Sequence, residues 1–73
     1  MKKLFTVIIE REDDMYVAVC SELDIASQGS TIEEAKANLT EAVELFLETA
    51  DVSEITGRMH TEMYLTSMEV SVG

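Results

Sequence analysis

The first 20 positions contain two largely apolar runs, residues 3–10 and 15–20, in which alternate residues share a face: Phe5, Val7 and Ile9 in the first run, and Met15, Val17 and Val19 in the second. Alternation with many β-branched residues is typical of strands. The charged stretch "REDD" (residues 11–14) separates the runs and predicts a turn, so the two runs together predict a β-hairpin. A third extended piece over residues 25–28 ends at Gly29, where a positive φ would cost little.

The pattern changes to a helical period after Gly29. Ser30 or Thr31 is predicted to cap the helix, because each is followed three residues later by glutamate, the spacing of a capping box. At 100° per residue, one side of this helix collects the apolar positions. These are Ile32, Ala35, Leu39, Ala42, Val43, Phe46, Leu47 and Ala50.

Residues 51–61 have no clear period and contain Gly57, so they are predicted to form an irregular connection. Residues 62–72 are predicted to form a last strand, in which Met68, Val70 and Val72 alternate with polar residues. The order β-β-β-α-β predicts a single two-layer α+β domain over residues 1–73, with one helix packed on a small sheet.

One helix covers one face of a sheet, and the second face is also expected to be apolar. We assign to it Leu4, Ile8, Tyr16, Ala18 and Cys20. An exposed apolar face usually marks an interface, although single exposed apolar residues are common. We therefore expect a homodimer or a higher homo-oligomer, held together by the face bearing Leu4, Tyr16 and Ala18 or by an edge strand.

The chain carries 15 acidic and five basic residues, a formal net charge of −10. Nucleic-acid affinity depends on lysine and arginine contacts to phosphate. The basic residues form no cluster beyond Lys2 and Lys3, so direct binding of DNA or RNA is disfavoured and a basic protein partner is favoured.

Two further features bear on location. The apolar run after the N-terminal lysines ends at Ile9, which is too short for a signal peptide or a membrane span. Cys20 is the single cysteine, so no intramolecular disulfide marks an oxidising compartment. We expect a cytoplasmic protein that does not bind membranes.

The residues that carry catalytic chemistry are few. His60 is the only histidine, which excludes a two-histidine metal site, and we expect it to be an ordinary polar residue of the predicted connection. Cys20 lies in an apolar strand and is expected to be a packed thiol. The acidic residues of the hairpin and the following turn fit no known oxygen-ligand loop. They are Glu10, Glu12, Asp13, Asp14, Glu22 and Asp24. We expect no catalytic residue, metal or cofactor, and no enzymatic activity.

The polar side of the predicted helix carries one acidic stripe, formed by Glu34, Glu41, Glu44 and Glu48 with Leu45 beside it. Like charges three or four residues apart destabilise a helix by a few tenths of a kcal/mol per pair. The stripe is either a solvated, solubilising face or a surface that binds a cationic partner.

Two adjoining segments resemble the HicB-like antitoxin family: "YVAVCSELDIASQGST" (residues 16–31) and "IEEAKANLTEAVELFLE" (residues 32–48). The resemblance rests on the tyrosine, the Glu-Leu pair, the Gly-polar-Thr turn and the helix pattern that follows. The matching positions are Tyr16, Glu22, Leu23, Gly29, Ser30, Thr31, Glu33, Glu34, Ala35, Asn38, Leu39, Glu41, Ala42, Leu45 and Glu48. The resemblance implies a partial RNase H-like fold and an antitoxin that neutralises a small basic HicA-type RNase toxin by direct binding.

The chain departs from the family pattern in its turns: Ser21 and Asp24–Ile25 stand where the family often has proline and Pro-Gly, and Ser30 where it has aspartate. Many members also carry a C-terminal ribbon-helix-helix or helix-turn-helix domain. The sequence ends at Gly73, so we expect a short stand-alone member without that domain. Two alternatives stay open: an orphan oligomeric binding module without a toxin, or a degenerate RNase H-like metal-dependent hydrolase.

Overall fold

The computed structural model of this chain describes residues 4–59 and 64–73. Its elements are β1 (Val7–Glu12), β2 (Met15–Cys20), β3 (Ile25–Gly29), α1 (Ile32–Thr49) and α2 (Val52–Arg58). The strands form an antiparallel sheet in the order β1-β2-β3, and α1 packs mainly on β3, less on β2 and least on β1. The predicted α+β fold, with three strands followed by a helix on the sheet, is confirmed.

The hairpin between β1 and β2 has a tight turn at Asp13 and Asp14. Asp13 has a φ of 55°, a left-handed conformation that aspartate tolerates better than most residues. Glu12 therefore pairs with Met15, and the register continues to Ile9 opposite Ala18. Directly opposite residues lie on the same face of the sheet, so the odd positions of β1 share a face with the even positions of β2.

This register overturns the predicted self-association surface of Leu4, Tyr16 and Ala18. Ala18 is fully buried in the core and Tyr16 packs partly buried against that core, whereas Leu4 is 98% exposed. The prediction grouped even positions of both strands, but a two-residue turn pairs odd with even. The outer face of the sheet instead carries Ile8, Val17, Val19 and Ala26.

The core of the described residues is small and lies between the sheet and α1. Its buried members are Ala18, Cys20, Leu23, Ala35, Leu39 and Val43. Phe5, Ile9, Tyr16, Ile25, Phe46 and Met59 pack partly buried against it. The buried residues of α1 belong to the predicted apolar side, and Cys20 is a packed thiol as predicted.

The C-terminal part differs from the prediction. Helix α2 occupies most of the predicted irregular connection, and Gly57 does not interrupt it. One glycine costs a helix only about 1 kcal/mol. Residues 64–73 form no strand, so the predicted last strand is wrong over this range, and residues 60–63 lie outside the described residues. Alternation shows that a segment would have one apolar side if paired, but pairing requires a neighbouring strand.

Candidate partner-binding surface

The connection between β3 and α1 is tightly packed at Gly29. A Cβ atom at this position would lie 2.5 Å from the backbone nitrogen of Ala35 and 2.9 Å from the Cβ of Glu34. Gly29 does not adopt a positive φ, so the low cost of that conformation is not the reason for a glycine here. Glycine is required here because the first turn of the helix lies against the end of the strand.

Hydrogen bonds close the same connection. Thr31 is the N-cap residue, and its Oγ1 accepts a hydrogen bond from the backbone N–H of Glu34 at 3.0 Å. The Glu34 carboxylate accepts from the backbone N–H and from the hydroxyl of Ser30, each at 3.2 Å. Asn38 donates from Nδ2 to the carbonyl oxygen of Gln28 at 2.8 Å. The predicted capping is confirmed, and the Glu34 carboxylate helps to fix the first turn of the helix.

A second polar cluster joins the start of the chain to the end of β2. The Glu22 carboxylate accepts hydrogen bonds from the Thr6 backbone N–H at 2.8 and 3.0 Å and from the Thr6 hydroxyl at 2.9 Å. The Ser21 backbone N–H donates to the Thr6 carbonyl oxygen at 3.0 Å. Glu22 therefore fixes the segment that leads into β1.

Many of the residues behind the family resemblance are thus structural. Leu23, Ala35 and Leu39 are core residues, and Glu22, Gly29, Thr31 and Asn38 hold the connections between elements. These members of the resemblance therefore report how the chain folds. Glu41, Leu45 and Glu48 also belong to the resemblance but take no part in these contacts, so partner binding has to be argued from exposed residues of this kind.

The other side of α1 carries three glutamates and one leucine on its surface. We call Glu41, Glu44, Leu45 and Glu48 the acidic face; all are exposed, Leu45 by 61%. Glu34 lies on the same side but is engaged in the cap. Among the described residues the single ion pair joins Arg58 to Glu54, so it involves no carboxylate of this face. The last turn of α1 contains no basic residue.

An apolar groove of about 710 Å³ runs beside β1, on the side of the sheet that α1 covers least. Leu4, Phe5 and Val7 line this β1 groove together with Leu39, Val43 and Leu47 of α1. Ile55 and Met59 also line it, and Lys36, Thr40 and Glu44 supply polar groups. Cys20 also contributes to the lining.

Helix α2 is attached through Arg58, a residue that no sequence pattern indicated. Its Nη1 donates to the carbonyl oxygen of Leu23 at 2.8 Å, and its guanidinium lies 4.6 Å from the centre of the Phe46 ring. Glu54 pairs with the same guanidinium at 3.6 Å. Arg58 sits in the last turn of α2, where a positive charge is also favourable.

The described ranges contain no group of three or more histidine, cysteine or acidic side chains arranged to hold a metal ion. His60 lies outside those ranges. None of the helices in the described part combines the length and the apolar composition needed to cross a membrane.

The sequence matches no established family model, and no solved structure matches it. It is similar to the UPF0150 protein ssr1765 of Synechocystis sp., with 50% identity over 46 residues, which are 60% of this chain and 58% of the relative. The chain thus spans less than two thirds of that relative's length. It is also similar to the UPF0150 protein ssl0738 of the same organism, with 50% identity over 50 residues, 66% of this chain and 69% of the relative. The chain belongs to the UPF0150 family.

Proposed function

We propose that this protein is an antitoxin-like binding module that neutralises a small basic HicA-type RNase toxin by direct contact through the acidic face. The observation that carries the proposal is the exposed row of Glu41, Glu44 and Glu48, with no cationic partner in the described part of the chain. Leu45 lies within the row and adds an apolar contact point. The resemblance to HicB-like antitoxins supplies the class of partner.

In the free protein this row of glutamates is energetically unfavourable. Glu41, Glu44 and Glu48 are spaced by three and four residues, so neighbouring pairs repel each other by a few tenths of a kcal/mol. Glu48 also lies near the C-terminal end of α1, where the helix dipole disfavours negative charge. A cationic surface placed on this face relieves both effects.

The length of the acidic face matches a compact basic patch on the surface of a partner. At about 1.5 Å per residue, Glu41 to Glu48 cover about 10 Å of helix. The strand-to-helix connection and the core contacts hold this helix rigidly on the sheet. Lysine and arginine side chains that bind RNA phosphates on a toxin would meet carboxylates at fixed positions instead. Complementary charge of this kind speeds association and disfavours wrong partners.

In this proposal the protein acts without catalysis and without a cofactor. It covers the RNA-binding surface of the toxin and competes with RNA for the same cations. A small, basic reading frame containing histidine, next to the gene for this chain, would encode the natural partner and is the first protein to test.

The decisive experiment measures association with that neighbouring toxin, made catalytically inactive so that it can be purified. We expect Glu41→Gln, Glu44→Gln and Glu48→Gln together to slow association by about tenfold or more at low salt, since steering by charge contributes factors of 10 to 10³. The salt dependence of the rate should flatten. Folding should be unchanged or slightly more stable, because the repulsion is removed.

A matched control is available on the hairpin. Glu10→Gln, Glu12→Gln and Asp14→Asn change the net charge by the same amount on an exposed surface away from α1. This variant should associate at a rate close to that of the original chain. Equal rates for the two triple variants would show that net charge alone matters and that the acidic face is a solubilising surface.

Other outcomes favour the alternatives. Failure of the unmodified chain to bind the toxin at all would favour an orphan binding module. Cleavage of RNA or DNA by the purified protein with magnesium or manganese, lost on replacing Glu10 or Asp24, would favour a metal-dependent hydrolase.

A further inference from the structure

We propose that two copies of this chain exchange their C-terminal segments, residues 64–73, each pairing with the free edge of β1 in the other copy and covering its β1 groove. The proposal rests on two exposed features of one chain that complement each other. It involves no toxin, and of the acidic face only Glu44 takes part, because Glu44 also lines the groove.

The first feature is the segment 64–73, here called the tail. All of its residues are exposed, including Tyr64 by 81%, Met68 by 87%, Val70 by 62% and Val72 by 94%. Its even positions are apolar except for one threonine, and its odd positions after Leu65 are serine, glutamate and glycine. This is the pattern of a strand with one buried side, yet the tail pairs with no described strand.

The second feature is the edge of β1. The Ser21 N–H bonds to the Thr6 carbonyl, so residues 6 and 21 form a hydrogen-bonded pair, and such pairs alternate along an antiparallel ladder. The backbone groups of Val7, Ile9 and Arg11 therefore point away from β2. In the described part of the chain no strand lies beyond β1. An edge of this kind is a template for another strand.

The opposite edge of the sheet is less accessible. Helix α1 packs chiefly on β3, and Asn38 already satisfies the carbonyl of Gln28 on that strand. The β1 groove lies only at the β1 side of the sheet. A strand added to β1 would place alternate side chains over this groove, which matches the apolar positions Met68, Val70 and Val72 of the tail.

The choice of a second copy follows from the shape and charge of the chain. Its radius of gyration is 14.5 Å, with extents of 48 × 30 × 18 Å, whereas a compact domain of this length has about 11 Å. The tail lies exposed in the single chain and contains one charged residue, Glu69, so it can approach another acidic copy with little repulsion. One twofold symmetric exchange fills both grooves and both edges.

The resulting contact between the two copies is large enough for a stable dimer. Each copy contributes the ten residues of its tail and the twelve residues that line its groove. This is close to the roughly 20 to 30 residues a side found in stable protein interfaces. Backbone hydrogen bonds to β1 would add affinity, as in other cases of strand addition.

The test compares two double variants that each add two negative charges to the tail. Met68→Asp with Val70→Asp changes the apolar side, and Ser67→Asp with Ser71→Asp changes the polar side. Light scattering at micromolar concentration should show a dimer for the original chain and for the serine variant. The Met68/Val70 variant should be a monomer, with a dimer dissociation constant at least about 100-fold higher.

A second measurement on the unmodified protein locates the tail. Isotope-labelled and unlabelled chains are unfolded, mixed and refolded, and isotope-filtered NMR then detects contacts between chains. Contacts from the methyl groups of Val70 or Val72 to Val7 or Leu39 of another chain support the proposal. Contacts of this kind within one chain, a monomer with a free tail, or a dimer that the Met68/Val70 variant leaves intact would each overturn it. The last result would point instead to the outer face at Ile8 and Val19.

Discussion

The connection from β3 to α1 and the C-terminal part of the molecule are built in opposite ways. At the connection, Gly29, Thr31 and Glu34 make short-range contacts that leave almost no freedom to the backbone. In the C-terminal part, α2 has no side-chain cap at its N-terminus and no buried residue, and every residue of the tail is exposed. The connection from β3 to α1 is therefore rigid, whereas few contacts hold the C-terminal part in place.

The difference shows where the stability of this small domain resides. Its buried apolar side chains belong to β2, to the turn that follows it and to α1. The C-terminal part contributes Met59 to the rim of the core and Arg58 as a polar anchor. We expect substitutions at the junction to affect the whole domain, and substitutions in α2 to affect mainly that helix.

The largest effect is expected from a pair of glycine substitutions. Gly29→Ala places a Cβ 2.5 Å from a backbone nitrogen, so unfolding in urea should require about 3 kcal/mol less free energy, the upper part of the overpacking range. The Cβ of Gly57→Ala meets nothing within 4 Å, so this change should stabilise α2 by about 0.5 to 1 kcal/mol and leave the urea midpoint of the domain unchanged or slightly higher. Similar urea midpoints for the two variants would contradict the close packing at Gly29.

The second prediction concerns the anchor of α2. Arg58→Ala removes a hydrogen bond from a charged donor and a contact with the Phe46 ring. It should lower the free energy of opening of α2 by about 2 kcal/mol. Glu54→Gln removes only the exposed ion pair and should cost less than about 0.5 kcal/mol. Hydrogen exchange should show faster opening of α2 in the arginine variant, with α1 little changed. Equal acceleration in both helices would mean that the two regions unfold together.

A smaller effect is expected at the cap of α1. Thr31→Ala removes the oxygen that accepts from Glu34 N–H and should cost about 1 kcal/mol in urea unfolding. Thr40→Ala is the control, because its hydroxyl bonds to the Lys36 carbonyl within the helix, and alanine is the better helix former. If Thr31→Ala lowered the free energy of unfolding no more than Thr40→Ala does, Glu34 and Ser30 would hold the helix start by themselves.

The parts of this fold that depend on neighbours in sequence were predictable. The bounds of β2 and the capping of α1 follow from local patterns, since a strand needs its alternation and a helix start needs its cap. The face assignment failed because it depends on register, although any hairpin turn with an even number of residues pairs odd positions with even ones. The last strand failed because pairing depends on a distant partner.

The same distinction applies to the candidate surface. The exposure of Glu41, Glu44, Leu45 and Glu48 agrees with the sequence period, and the binding role of these residues stays a prediction. Glu34 shares their side of the helix, but its carboxylate belongs to the cap. The capping-box spacing already contained that signal. Arg58 carried no such signal, because its partners Leu23 and Phe46 are distant in sequence.

Because Cys20 is buried, the reactivity of its thiol reports how often the domain opens. Its thiol is 1% exposed beneath α1, and it is the single cysteine in the sequence. Since Cys20 also lines the β1 groove, a thiol reagent reaches the sulfur when that groove widens, when the helix lifts from the sheet or when the domain unfolds. The labelling rate therefore measures the population of open molecules without any engineered probe. Partner binding that holds α1 in place would appear as a slower labelling rate.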